Sequence, residues 1–157
     1  MDTASTLIGL GLLAVFVLPI LFLIWQQNTK EKSRLRNLKE LSIKNNLTTD
    51  TVEISATLLL GLDSKAKKLL VIEPTNNMQH QVLDLSFIKN TKVSSQPFPD
   101  KPELIKRISL DLSENRNNKK LTEIIFYDED DNASNNASER LIVAQKWNRI
   151  ISEKLSA

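Results

Sequence analysis

Leu7 to Trp25 reads LIGLGLLAVFVLPILFLIW, nineteen residues without a charge. At 1.5 Å of rise per residue, about 20 apolar residues cross the roughly 30 Å hydrocarbon core of a bilayer. Pro19 would break a soluble helix, whereas a bilayer forces the backbone to stay helical around a local kink. Trp25 stands at the end of the run, where an indole prefers the membrane interface. The rival reading, a cleaved signal peptide, needs a basic start and a small-residue cleavage site. Here the start is MDTAST and the exit is WQQNTK, so residues 1–28 are expected to remain as a transmembrane anchor.

Charge begins where the anchor ends. Lys30, Lys32, Arg34, Arg36, Lys39 and Lys44 follow the span against only Glu31 and Glu40. Positive charge stays on the cytoplasmic side, which predicts a single-pass protein with its N-terminus outside and its body in the cytoplasm. Trp25, Lys30, Lys32, Arg34, Arg36 and Lys39 are then the membrane-interface residues. The basic ones determine topology and can also meet anionic head groups at about 1 kcal/mol each. From Lys30 onward lie 128 residues, whose 21 Lys and Arg against 18 Asp and Glu leave only +3. That is too weak for a nucleic-acid partner. The absence of cysteine excludes disulfides, thiol nucleophiles and Cys-based metal sites. A single histidine excludes His-rich metal centres, and three glycines form neither a P-loop nor a dinucleotide fingerprint.

Leu35, Leu38, Leu41 and Ile43 recur near helical spacing among charges, so residues 29–47 read as a juxtamembrane amphipathic helix whose narrow stripe packs on the body. After Asn45-Asn46 the pattern changes to short β-type runs. Val52 to Leu62 reads as one strand, with Ile54, Ala56, Leu58, Leu60 and Leu62 on one face. Asp63 to Ala66 supplies turn chemistry, and Lys68 to Glu73 returns as a second strand. Pro74 to Asn77 breaks the chain, and His80 falls in this polar turn. Further strands are predicted at Gln81–Leu85, Ile88–Ser94, Leu104–Ser113 and Leu121–Tyr127, with the Pro97, Pro99 and Pro102 loop between the second and third of these. Glu139 to Leu155 has helical period, with Leu141, Ala144, Trp147, Ile151 and Leu155 on one face. Residues 48–157 are therefore expected to form an α+β, mainly β body: a small antiparallel sheet or open barrel closed by a C-terminal helix that Trp147 plugs.

The succession LLLGLDSKAKKLLVIEP, VLDLSFIKNTKV, two paired strands and a Trp-bearing helix resembles a bacterial pleckstrin-homology-like (PH-like) domain. The resemblance covers Ser55 to Leu155 and extends to small single-pass membrane proteins of unassigned function in Bacteroidota. It implies a seven-stranded, strongly bent barrel plugged by its last helix, a bacterial inner-membrane location, and a role as an interaction module. The phosphoinositide signature of eukaryotic members, basic residues on the first hairpin ending in Lys-x-Arg, is met only by Lys65, Lys67 and Lys68, with no arginine following. These lysines are the candidate lipid- or partner-binding residues, weighed against an ordinary solvated hairpin tip.

DEDDNASNNASE, Asp128 to Glu139, places Asp128, Asp130, Asn132, Ser134, Asn136 and Glu139 at the ligand positions of a calcium loop. Ala133 stands where the sharp turn requires glycine, and the entering segment is β-type rather than helical. An acidic loop in which Asn136 caps the last helix and Glu139 completes a capping box explains the same residues better. His80 lacks placeable partners, and nothing brings Asp84 near Asp111, so no catalytic residue, metal or cofactor is assigned. The expected function is non-catalytic: an adaptor or accessory subunit binding a protein partner or membrane complex, with no small-molecule substrate. The alternatives are an anionic-lipid sensor and, behind it, a calcium-responsive module.

Overall fold

The computed structural model describes residues 3–114, 120–131 and 136–156. Two compact units are present, residues 1–37 and 38–157. The first is the leading part of helix α1 (Thr3–Lys44), with Pro19 inside it. From Leu12 to Trp25 every large apolar side chain is exposed, Phe16 at 70% and Trp25 at 67%. A helix apolar on all sides buries nothing against its own chain, and this one is long and apolar enough to cross a membrane.

The second unit starts with the last turns of α1. Leu47 N–H bonds the Ser42 carbonyl at 2.8 Å, Asn46 N–H bonds that of Ile43 at 3.0 Å, and Asn46 adopts φ 55°. This is a Schellman stop, in which asparagine tolerates the left-handed conformation. It places Leu47 beside Leu41 in one apolar cluster.

Among the described residues seven strands follow: β1 (Thr51–Ile54), β2 (Leu59–Asp63), β3 (Lys68–Glu73), β4 (Gln79–Asp84), β5 (Asn90–Pro97), β6 (Ile105–Ser113) and β7 (Lys120–Asp128), then helix α2 (Ala137–Ser156). They form two antiparallel sheets, ordered β1-β2-β3-β4 and β5-β6-β7, with a 3-10 turn at Leu85–Phe87 between them. They remain two separate sheets and do not close into a barrel.

The segment expected as one strand from Val52 to Leu62 is instead a hairpin. Ser55 Oγ accepts from Leu58 N–H at 2.9 Å and donates to the Leu58 carbonyl at 2.8 Å, so a serine side chain closes a turn that holds no Gly, Pro, Asn or Asp. As a result Ile54 and Leu58 serve different clusters. The following strand also begins earlier than Gln81. Asn77 and Met78 take φ 48° and 58°, which returns the chain to β4 by Gln79 and lifts His80 out of the turn onto that strand.

The main core gathers Leu58, Leu60, Leu62, Leu69 and Val71 from the first sheet, Ile108, Leu110 and Leu112 from β6, Ile124 and Phe126 from β7, and Ala144, Trp147 and Ile151 from α2. Trp147 is fully buried, as expected of the plugging residue. The opposite face of the first sheet is apolar too. Leu59, Leu70 and Ile72 meet Leu38, Leu41 and Leu47 at the end of α1. The juxtamembrane stripe therefore does pack on the body through Leu38 and Leu41, but Ile43 is 75% exposed and takes no part. With both faces covered, β2 is buried along its whole length. Gly61 belongs here because a Cβ would come within 2.8 Å of the Thr49 methyl.

Candidate functional site

The three hairpin lysines do gather at one tip. It is, however, the second hairpin, β2–β3, because the first turn is Ser55 to Leu58 and carries no basic residue. Asp63 organises the tip. Its Oδ1 accepts the N–H groups of Ala66 at 2.9 Å and Lys65 at 3.1 Å, and its Oδ2 accepts that of Thr48 at 2.7 Å. Such an Asx turn leaves Lys65 exposed and Lys67 at φ 51°. Lys68 opens β3 in register with Asp84.

Three carboxylates share this tip. Asp63 is held below its ordinary pKa by the N–H groups of Ala66 and Thr48 against burial, with help from Lys65. At Asp50 burial pushes upward, yet the Ser64 N–H and hydroxyl and the Thr51 hydroxyl outweigh it, and the net shift is down. Asp84 is lowered first by the Ser86 hydroxyl and N–H, then by the charge of Lys68. Of the hairpin lysines, the charge of Lys65 bears on Asp63 and that of Lys68 on Asp84, while the lysine that bears on Asp50 is Lys154 of α2, and all three aspartates are ionised at neutral pH. The tip therefore mixes both signs of charge, which weakens its attraction for an anionic surface.

The residues expected at a membrane interface lie along α1. Trp25, Lys30, Lys32, Arg36 and Lys39 are exposed and Arg34 is half-buried. Thr29 Oγ1 donates back to the Trp25 carbonyl, satisfying its hydroxyl inside the helix.

The acidic loop is already engaged. Asp128 lies 3.7 Å from Arg107, and Asp130 lies 3.3 Å from Lys106. The Tyr127 hydroxyl donates to Glu129, which pushes the phenol pKa up. Asn136 Oδ1 accepts the Ser138 N–H at 3.0 Å, the N-cap read from the sequence, and Glu139 stands in the first turn of α2. Asn132 and Ser134 lie outside the described residues. Asp128 and Asp130 are thus committed to cations of the protein itself, and among the described residues no three His, Asp or Glu side chains are grouped to hold a metal.

His80 is exposed on β4 beside an open depression lined by Val71, Glu73, Gln79 and Gln81. Asp84 and Asp111 stand in different sheets: Asp84 accepts from Ser86, while Asp111 accepts from Ser94 at 2.6 Å and Ser109 at 3.2 Å. The Ser86 hydroxyl and N–H hold Asp84 as the anion.

Two polar arrangements carried no signal in the sequence. Glu53 on β1 accepts from Trp147 Nε1 at 3.3 Å and pairs with Lys146 at 3.4 Å. Arg107 on β6 sits 3.7 Å from both Glu123 and Asp128, yet its buried Nε makes no hydrogen bond. Both join residues tens of positions apart or across bulged strands, so no local spacing foretells them.

No family model, curated protein or solved structure matches this chain.

Proposed function

We propose that the chain is a non-catalytic, single-pass protein of a bacterial inner membrane that presents a PH-like domain to the cytoplasm as an adaptor or accessory subunit for a protein partner. The single observation that carries this reading is the contrast between its two parts. One is a helix with its apolar surface wholly exposed; the other is a body whose apolar residues fill two closed clusters. Hydrocarbon is the solvent that suits the first, and water suits the second. The arrangement of four strands, three strands and a final helix is the strand count of a PH-like domain, which supports the resemblance. The excess of Lys and Arg after the span supports the cytoplasmic orientation.

The tip's mixed charge favours a protein partner over an anionic-lipid sensor. Lysines interleaved with ionised aspartates offer a patterned, directional surface rather than a field of one sign.

The test uses the full chain with a C-terminal tag. It is expected to stay in membranes after carbonate washing and to lose its tagged body to protease in inside-out vesicles but not in right-side-out ones. It is also expected to copurify with a stoichiometric protein after mild detergent extraction. Release by carbonate, or a purified chain lacking its first residues, would refute the anchor. Digestion in right-side-out vesicles would reverse the orientation.

A further inference from the structure

Of the four sheet edges, three carry the devices that prevent edge-to-edge pairing, namely shortness, charge, proline or a bulge. Strand β1 has four residues, and its Glu53 is tied to α2. Strand β5 bears Lys92 and Pro97, with a register shift at Gln96/Pro97. Strand β7 bears Glu123 and pairs through two register shifts. Strand β4 is neither as short as β1 nor interrupted by proline or a bulge, and its one charge is at its last residue, Asp84. It ends the order β1-β2-β3-β4, pairs regularly with β3 over six residues, and is uncharged from Gln79 to Leu83, with Gln79, His80, Gln81 and Val82 exposed.

We propose that β4 is a homodimerisation edge and that a second copy of this chain pairs with it, antiparallel, across a twofold axis at Val82. This goes beyond the adaptor reading and does not depend on it. The argument is one of self-complementarity. His80, Val82 and Asp84 share the face of the sheet that carries Ile72 and Leu70, since His80 lies opposite Ile72 and Val82 opposite Leu70. With Val82 on the axis, antiparallel pairing sets Val82 against Val82 and, on either side, His80 of one copy against Asp84 of the other. The imidazole donates a hydrogen bond and the carboxylate accepts it, twice per dimer. Both bonds from Ser86 fall on Asp84 Oδ1, so Oδ2 is not used by them. On the other face Gln81 meets Leu83, again without like charges. The main-chain groups along the edge supply the pairing, and the side chains fix this register.

The chain contains no cysteine, so V82C carries a single thiol at the proposed axis. Directly opposed Cβ atoms across such a pair lie about 4.5–5.5 Å apart, close enough for a disulfide after a small adjustment. In the full chain in detergent, mild oxidation is expected to give a disulfide-linked homodimer for V82C and none for K92C on the guarded edge of β5. Light scattering is expected to show a wild-type dimer. H80E, which sets like charges opposite Asp84 twice, raises its dissociation constant about tenfold, and H80K lowers it. Both substitutions sit on an exposed side chain and spare the core. A wild-type chain that stays monomeric overturns the proposal. So does V82C cross-linking no faster than K92C, cross-linking only to a different polypeptide, or H80E and H80K leaving the dimer unchanged.

Discussion

Trp147 Nε1 donates to Glu53 Oε2 at 3.3 Å, fastening the plug of the main core to the shortest edge strand. Lys146 Nζ reaches the same oxygen at 3.4 Å, so one carboxylate anchors two consecutive residues of α2. E53A leaves a buried indole N–H without its acceptor, and the thermal midpoint of the full chain in detergent is expected to fall by the equivalent of about 1–3 kcal/mol. E53Q keeps an acceptor oxygen and should lose less. An E53A variant as stable as wild type would show that the indole bond contributes nothing.

Leu38 and Ile43 lie five residues apart on α1, yet one is fully buried and the other 75% exposed. L38A opens a cavity against Leu59 and Leu70 and should cost about 2–5 kcal/mol, whereas I43A should be nearly silent. Equal effects from the two, measured by chemical unfolding, would refute the docking of the last turns of α1.

Asp63 makes stability depend on acid in a definite direction. Its folded pKa lies below the ordinary 3.8, so the stabilisation is fully present above the unfolded value and is lost as pH falls through the lower, folded one. The wild-type midpoint should hold from pH 7 to about 5 and then drop steeply. D63N should start lower at pH 7 and show a shallower acid limb, because an amide cannot gain a proton there. Parallel limbs would place the acid sensitivity elsewhere.

Calcium provides a fourth check. Asp128 and Asp130 are occupied by Arg107 and Lys106, and a ligand that binds only the folded chain raises its midpoint. Millimolar calcium is expected to leave the midpoint unmoved. A rise abolished by D130N would restore the calcium loop.

The positions of the helices were legible because their signals are local. The apolar run, the Asn45-Asn46 stop, and the Asn136 cap followed by a 3.6-residue period all act within a few residues of where they stand. The strand map failed where the backbone did something its residue types do not advertise. Ser55 closes a hairpin with its own side chain, so the β1–β2 turn read as uninterrupted alternation, and Met78 takes a positive φ that no residue of its kind signals. The alternation of Leu58, Leu60 and Leu62 points to one apolar face. Nothing within the strands says that α1 would cover the second face. The hairpin lysines and Asp63 are legible in the sequence, but Asp50 and Asp84 beside them are not, because they arrive from thirteen residues before and twenty-one after Asp63.

The two covers of the β1–β4 sheet come from opposite sides of it in chain order. Leu38, Leu41 and Leu47 precede the sheet, while Trp147 and Ile151 follow every strand. During synthesis the outer surface of β2 and β3 can thus be sealed as soon as those strands pair, through contacts close in sequence. Their inner surface, which carries Leu60 and Leu62, is fully covered only when β6, β7 and finally α2, whose side chains share its cluster, have been made. The interval between those two events is when a nascent chain is most open to aggregation, and a ribosome stalled ahead of α2 would hold it there.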